Sequence, residues 1–183
     1  MPFSASAGER IPPQKHAGIV EQAFRECRRE APCKSTELKA ILKNLLDQYW
    51  KREWDHRERD FDYALKTASA HFGVSHAWLK ACNRSEGGAG HWKWNGGIYQ
   101  IHSWDRPRGS SGAGGPMQFK SGTYYGNITL SRGALQSVLP RHYRSGDGTP
   151  SNPKGWRLRA GQAYVAAWMF LHGHSNQWTG RGC

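Results

Sequence analysis

Apolar residues recur at three- and four-residue spacing in three separated stretches, and each predicts an amphipathic helix. The first holds Leu38, Ile41, Leu42, Leu45, Leu46, Tyr49 and Trp50, with Ser35 placed to cap it and Glu37 favourable in its first turn. The second holds Phe61, Tyr63, Ala64, Leu65, Ala68 and Phe72 and stops at Gly73; Ser75 then caps a further helix over 76–85. The third, over 158–172, lines up Ala160, Ala163, Tyr164, Ala167, Trp168 and Leu171. A short helix is expected over 17–30, ended by Ala31-Pro32 because proline disfavours helical geometry in the residue before it. Residues 1–16 lack periodicity and read as a loose arm.

Between these helices the pattern changes. Residues 51–60 alternate in charge sign and predict a solvated helical stretch. Residues 87–116 are rich in Gly, Ser, Trp and His; Trp92, Trp94, Ile98, Tyr99, Ile101 and Trp104 predict extended, β-like structure there. The glycine-rich loop over 108–115 lacks the Gly-Lys-Ser/Thr ending of a phosphate loop. Ser121 and Thr123 start a further helix near Tyr124, weakened by Gly126, and 144–155 is turn-rich loop. The expected fold is therefore mainly α with a small extended, glycine-rich lobe. It divides into the arm 1–16, an N-terminal helical extension 17–60 and a main domain 61–183.

Charge is distributed unevenly. Residues 1–62 hold 11 acids against 12 bases, whereas 63–183 hold 14 Lys and Arg against only Glu86, Asp105 and Asp147, a net +11. Such an excess predicts a polyanionic target, with nucleic acid and an anionic cell-wall polymer as the two candidates. No recognisable nucleic-acid motif is present, which sets the first aside. No apolar run approaches the roughly 18 residues of a membrane span, and the opening residues contain no signal-peptide core, so neither membrane insertion nor a leader is expected. His91, His102, His172 and His174 have no metal-binding spacing, and no metal or cofactor is expected.

The cysteines are Cys27, Cys33, Cys82 and Cys183. None forms a CxxC pair, so a zinc ribbon is not expected; two disulfides are compatible with the count, and three pairings are open.

Glu86 is the candidate catalytic residue. It lies where the pattern Trp78, Leu79, Cys82 runs into Gly87-Gly88, placing a carboxyl at the C-terminal end of a helix. The negative end of the helix dipole disfavours its charge, and aromatic surroundings raise a carboxyl further, the conditions for a general acid near neutral pH. Asp105 and Asp147 sit in turn-like surroundings and read as turn residues.

Three segments together resemble the lysozyme-like superfamily, specifically lytic transglycosylases and resuscitation-promoting factors. They are ASAHFGVSHAWLKACNRSEGG with Glu86, GGPMQFKSGTYYG with Met117, Gln118 and Thr123, and RLRAGQAYVAAWM with Tyr164. The likeness covers about 61–183 and leaves 1–60 unexplained. The chain departs from the transglycosylase pattern at one point: Gly87 follows the glutamate where the family has Ser, so no helper hydroxyl is carried over. The resemblance implies an α+β lysozyme-like fold and cleavage of the β-1,4 bond between N-acetylmuramic acid and N-acetylglucosamine, with Glu86 as the single acid and 1,6-anhydro products. A hydrolytic lysozyme, or an inactive glycan-binding or virion module, is the alternative. Gln118, Met117, Tyr164, Thr123, Trp92 and Trp94 become the expected substrate contacts, and peptidoglycan strands the expected partner. An assembly partner is expected at 17–60, with action at the cell wall, outside the cell or on a virion. A Cys82–Cys183 bridge is also implied, leaving Cys27 with Cys33.

Overall fold

The computed structural model describes residues 10–30, 32–87, 92–95, 98–101, 113–146, 148–149 and 152–174. Of residues 30, 86, 87, 92–95, 98–101, 149, 152 and 153 it describes the backbone element alone. The protein is mainly helical. Helix α1 (Pro13–Cys27) begins four residues ahead of the expected start because Pro13 is tolerated in a first turn, where its missing N–H has no helical partner. It ends in a short 3-10 turn, and the disulfide Cys27–Cys33 ties that turn to the approach to α2.

Helix α2 (Ser35–Arg59) is one continuous element. Lys34, not Ser35, occupies its N-cap position, and the Glu37 carboxylate accepts the Lys34 backbone N–H at 3.2 Å. The helix packs against α1, and Leu45 and Trp50 of α2 and Ala23 and Cys27 of α1 are buried. Its charged back half is not the solvated stretch that sign alternation predicts. Trp54 and Arg57 are 2% and 5% exposed, with the Arg57 guanidinium 4.6 Å from the Trp54 ring centroid. The ring lies 4.8 Å from Tyr143 and 5.3 Å from Tyr164. Trp54 belongs to the same core as the helices that follow, so a division at 60/61 does not separate two cores.

Asp60 breaks the chain direction and caps α3 (Phe61–Phe72), its side chain accepting the Tyr63 N–H. Gly73, at φ 70°, ends α3 in the left-handed conformation that glycine adopts without strain. Ser75 caps α4 (His76–Gly87) through the Trp78 N–H, as the sequence predicts. Strands β1 (Trp92–Asn95) and β2 (Ile98–Ile101) form an antiparallel hairpin with Trp92 opposite Ile101 and Trp94 opposite Tyr99. Helix α5 (Ser121–Leu130) forms despite Gly126, which faces open space while Tyr124 and Ile128 anchor the opposite side. The short α6 (Ala134–Val138) was not anticipated from periodicity. The turn-rich segment contains the two-residue strands β3 (Gly148–Thr149) and β4 (Asn152–Pro153).

Helix α7 (Arg159–Leu171) is the centre of the fold. Every residue from Ala160 to Met169 is buried, on all faces, and α3 packs along it most extensively. A helix enclosed on every side needs small residues where neighbours come close. Gly161 supplies one such place: a Cβ there would meet the Tyr124 hydroxyl at 2.3 Å.

Candidate functional site

The segment Gly114–Phe119 folds into a tight turn between α4 and α7. Gly114 N–H donates to the Phe119 carbonyl at 2.9 Å, and Gln118 N–H to the Gly115 carbonyl at 3.1 Å. Gly115 has φ +77°, and a Cβ at this position would lie 2.1 Å from Gln162 Nε2, so only glycine fits. Met117 and Phe119 are 0% and 1% exposed and anchor the turn from inside. Gln118, between them, is half-buried and held at φ 50°.

Two buried amides grip this turn. From α4, Asn83 Nδ2 donates to the Pro116 carbonyl. From α7, Gln162 Oε1 accepts the Met117 N–H at 2.9 Å, while its Nε2 donates to the carbonyls of Gly114 at 3.2 Å and Trp156 at 2.7 Å. Both side chains are 0% exposed. Buried backbone groups must be paired, and these amides do for the turn what a sheet or helix does elsewhere. Gln118 itself donates from Nε2 to the Gly115 carbonyl at 2.8 Å, and its Oε1 is buried with no partner among the described residues, as is Asn83 Oδ1. Both unused acceptors belong to residues of this turn or its clamps, and Gln118 is at the same time a non-glycine residue with positive φ.

Glu86 lies in the last turn of α4, three residues after Asn83. Its side chain lies outside the described residues. Helix α4 is pinned from the other end by Asp62 of α3, whose carboxylate meets Lys80 Nζ at 2.8 Å and His76 Nε2 at 3.2 Å. Partial burial pushes the Asp62 carboxyl up, but Lys80 and His76 outweigh it and hold the group below its ordinary range.

The other expected contacts fall differently. Tyr164 is 0% exposed, with Trp54 and Phe72 against its ring and the Arg57 guanidinium 5.6 Å from its centroid. It is a core residue, not a substrate contact, because the back half of α2 covers it. Met117 is also closed off and acts as an anchor of the turn, not as a contact. Thr123 is half-buried in the first turn of α5, where its carbonyl accepts from Asn127 Nδ2. The side chains of Trp92 and Trp94 on β1, and all of Asp105 and Asp147, lie outside the described residues.

Cys82 is fully buried and disulfide-bonded, and no free cysteine occurs among the described residues; Cys183 lies outside them. Among the described residues no group of three His, Cys, Asp or Glu is placed to hold a metal, and no helix is long and apolar enough to cross a membrane.

Sequence reasoning missed Asn83, Gln162 and Glu58. Each carried a faint signal. Gln162 is the one amide inside the apolar run AGQAYVAAWM, and Asn83 stands beside Cys82 just ahead of Glu86. Glu58, hidden in the charged run, accepts the backbone N–H groups of Arg159 at 3.0 Å and Ala160 at 2.8 Å, and the Tyr143 hydroxyl. No protein family, curated protein or solved structure matches this chain.

Proposed function

We propose that this protein cleaves the β-1,4 bond between N-acetylmuramic acid and N-acetylglucosamine in peptidoglycan, as a lytic transglycosylase on a lysozyme-like fold whose glycine-rich lobe includes 87–116. The observation that carries the reading is the Asn83–Pro116 hydrogen bond. It joins the helix end bearing Glu86 to the Gly-Pro-Met-Gln-Phe turn, the two segments on which the resemblance chiefly rests. In this mechanism Glu86 donates its proton to the glycosidic oxygen as the bond to the muramyl C1 breaks. The resulting carboxylate takes the proton from the sugar's own C6 hydroxyl, whose oxygen closes on C1 to give the 1,6-anhydro end. One carboxyl suffices because no water is activated, in contrast to the paired carboxylates of hydrolysing enzymes. Gln118 Oε1 accepts from an N-acetyl N–H or a sugar hydroxyl.

The basic charge of 63–183 favours an anionic wall polymer. The Cys27–Cys33 disulfide favours work in an oxidising compartment, at the cell wall or on a virion. The α1–α2 hairpin is then the part left for an assembly partner. Mass spectrometry of purified peptidoglycan digested by the protein tests the reading. Anhydromuramyl ends are expected; reducing ends would show a hydrolase instead, and intact sacculi a binding module.

A further inference from the structure

We infer that Gln162 is a positioning residue for the site, acting through the backbone of the Gly114–Phe119 turn to hold Gln118 in its positive-φ conformation. The inference rests on the transglycosylase reading for what Gln118 contacts, but its structural half stands alone. Helix α7 is otherwise enclosed by apolar contacts from Ala160 to Met169, and burying an amide there is unfavourable unless its polar atoms are paired. At Gln162 they are: the oxygen and the nitrogen together make three hydrogen bonds.

Two of the three go to opposite sides of the turn. Gly114 C=O lies on the entering side and Met117 N–H on the leaving side, so one rigid planar amide fixes the distance between them. The next residue, Gln118, is left at φ 50°, which a residue with a Cβ adopts only when its surroundings enforce it. Asn83 holds only the middle of the turn, at Pro116. Without the Gln162 amide, the bonds that Gln162 makes to Met117 N–H and Gly114 C=O are lost, Gln118 relaxes to negative φ, and its side chain swings away from its present place. The close approach of Gly115 belongs to the same device, since the turn sits on the Gln162 side chain with no room for a methyl group.

The test compares the wild type with Gln162→Met, Gln118→Ala and the double variant, checking each fold by far-ultraviolet circular dichroism and thermal melting. Release of soluble muropeptides from peptidoglycan is the activity readout. Gln162→Met, similar in length but without the amide, should lower turnover roughly 10- to 100-fold, the scale of a misplaced binding group. In the double variant the two losses should not add: it should be within about twofold of Gln118→Ala alone. Additive losses, or wild-type turnover in Gln162→Met, would overturn the inference.

Amide hydrogen exchange of the unaltered protein supplies an independent arm. Met117 N–H should be strongly protected although it lies in a turn; exchange at the open-chain rate overturns the inference even where Gln162→Met fails to fold. Wild-type protein inert on peptidoglycan would remove the functional reading, while open-chain exchange at Met117 N–H would still overturn the structural half.

Discussion

The Glu58 carboxylate, at the end of α2, accepts the backbone N–H of Ala160 at 2.8 Å across 102 residues of sequence. Its second oxygen accepts the Arg159 N–H at 3.0 Å, so one side chain satisfies two of the open donors in the first turn of α7. The N-cap residue Leu158 has no side chain able to do this. A negative group at this end also complements the helix dipole. The central helix of the fold is therefore capped from a segment that the sequence places in an N-terminal extension.

Burial pushes the Glu58 carboxyl above its ordinary range, against the opposing pull of the Ala160 N–H, the Tyr143 hydroxyl and the Arg159 N–H. The folded protein thus holds this proton more tightly than the unfolded chain. Its contribution to stability is fully present below the ordinary carboxylate pKa and is lost as pH rises through the folded one. Glu58→Gln removes that slope and turns an amide N–H toward a backbone N–H, a loss of about 1–3 kcal/mol. Denaturant unfolding from about pH 4 to 8 should show the gap between wild type and variant narrowing as pH rises. A constant gap would count against the assignment.

Trp54→Ala separates a solvated helix from a core one. At 2% exposure, and within contact of Tyr143 and Tyr164, the indole should be worth about 3–5 kcal/mol in chemical unfolding. A change below about 0.5 kcal/mol, as for an ordinary surface position, would contradict the packing described.

Glu86→Gln should reduce release of anhydromuropeptides by several orders of magnitude, with the melting temperature kept within a few degrees. General acid–base action alone contributes about 10²–10⁴-fold. A variant retaining a third of wild-type activity would remove Glu86 from the mechanism.

The two pairs of cysteines should differ in effect. Joining Cys82 to Cys183 closes a loop on the order of 100 residues, for which the chain-entropy model predicts about 4–5 kcal/mol; the short Cys27–Cys33 loop predicts about 2 kcal/mol. Cys82→Ser with Cys183→Ser should therefore lower the melting temperature more than Cys27→Ser with Cys33→Ser. It should also lower activity, since Cys82 is one turn from Glu86. Non-reducing peptide mapping checks the pairing, and a Cys183 thiol free in native protein would refute it.

What the sequence determined by itself is local. Gly73 ends α3 and Ser75 caps α4 because a left-handed terminus and an N-cap hydroxyl depend only on neighbouring residues. The periods of α3 and α7 are read within a few residues of their observed ends, and the terminal position of Glu86 is equally local. Tertiary structure decided what those elements touch. Alternating charge over 51–60 describes the average face of a helix, so it misses Trp54 and Arg57, which turn inward where α2 meets α7. An apolar stripe likewise shows one buried face, whereas α7 is buried on all of them. That enclosure makes Tyr164 a core ring and Gln162 a clamp on a turn 45 residues away. A period records which side of a helix avoids water; it carries no information about which distant backbone groups a buried amide or carboxylate will be required to satisfy.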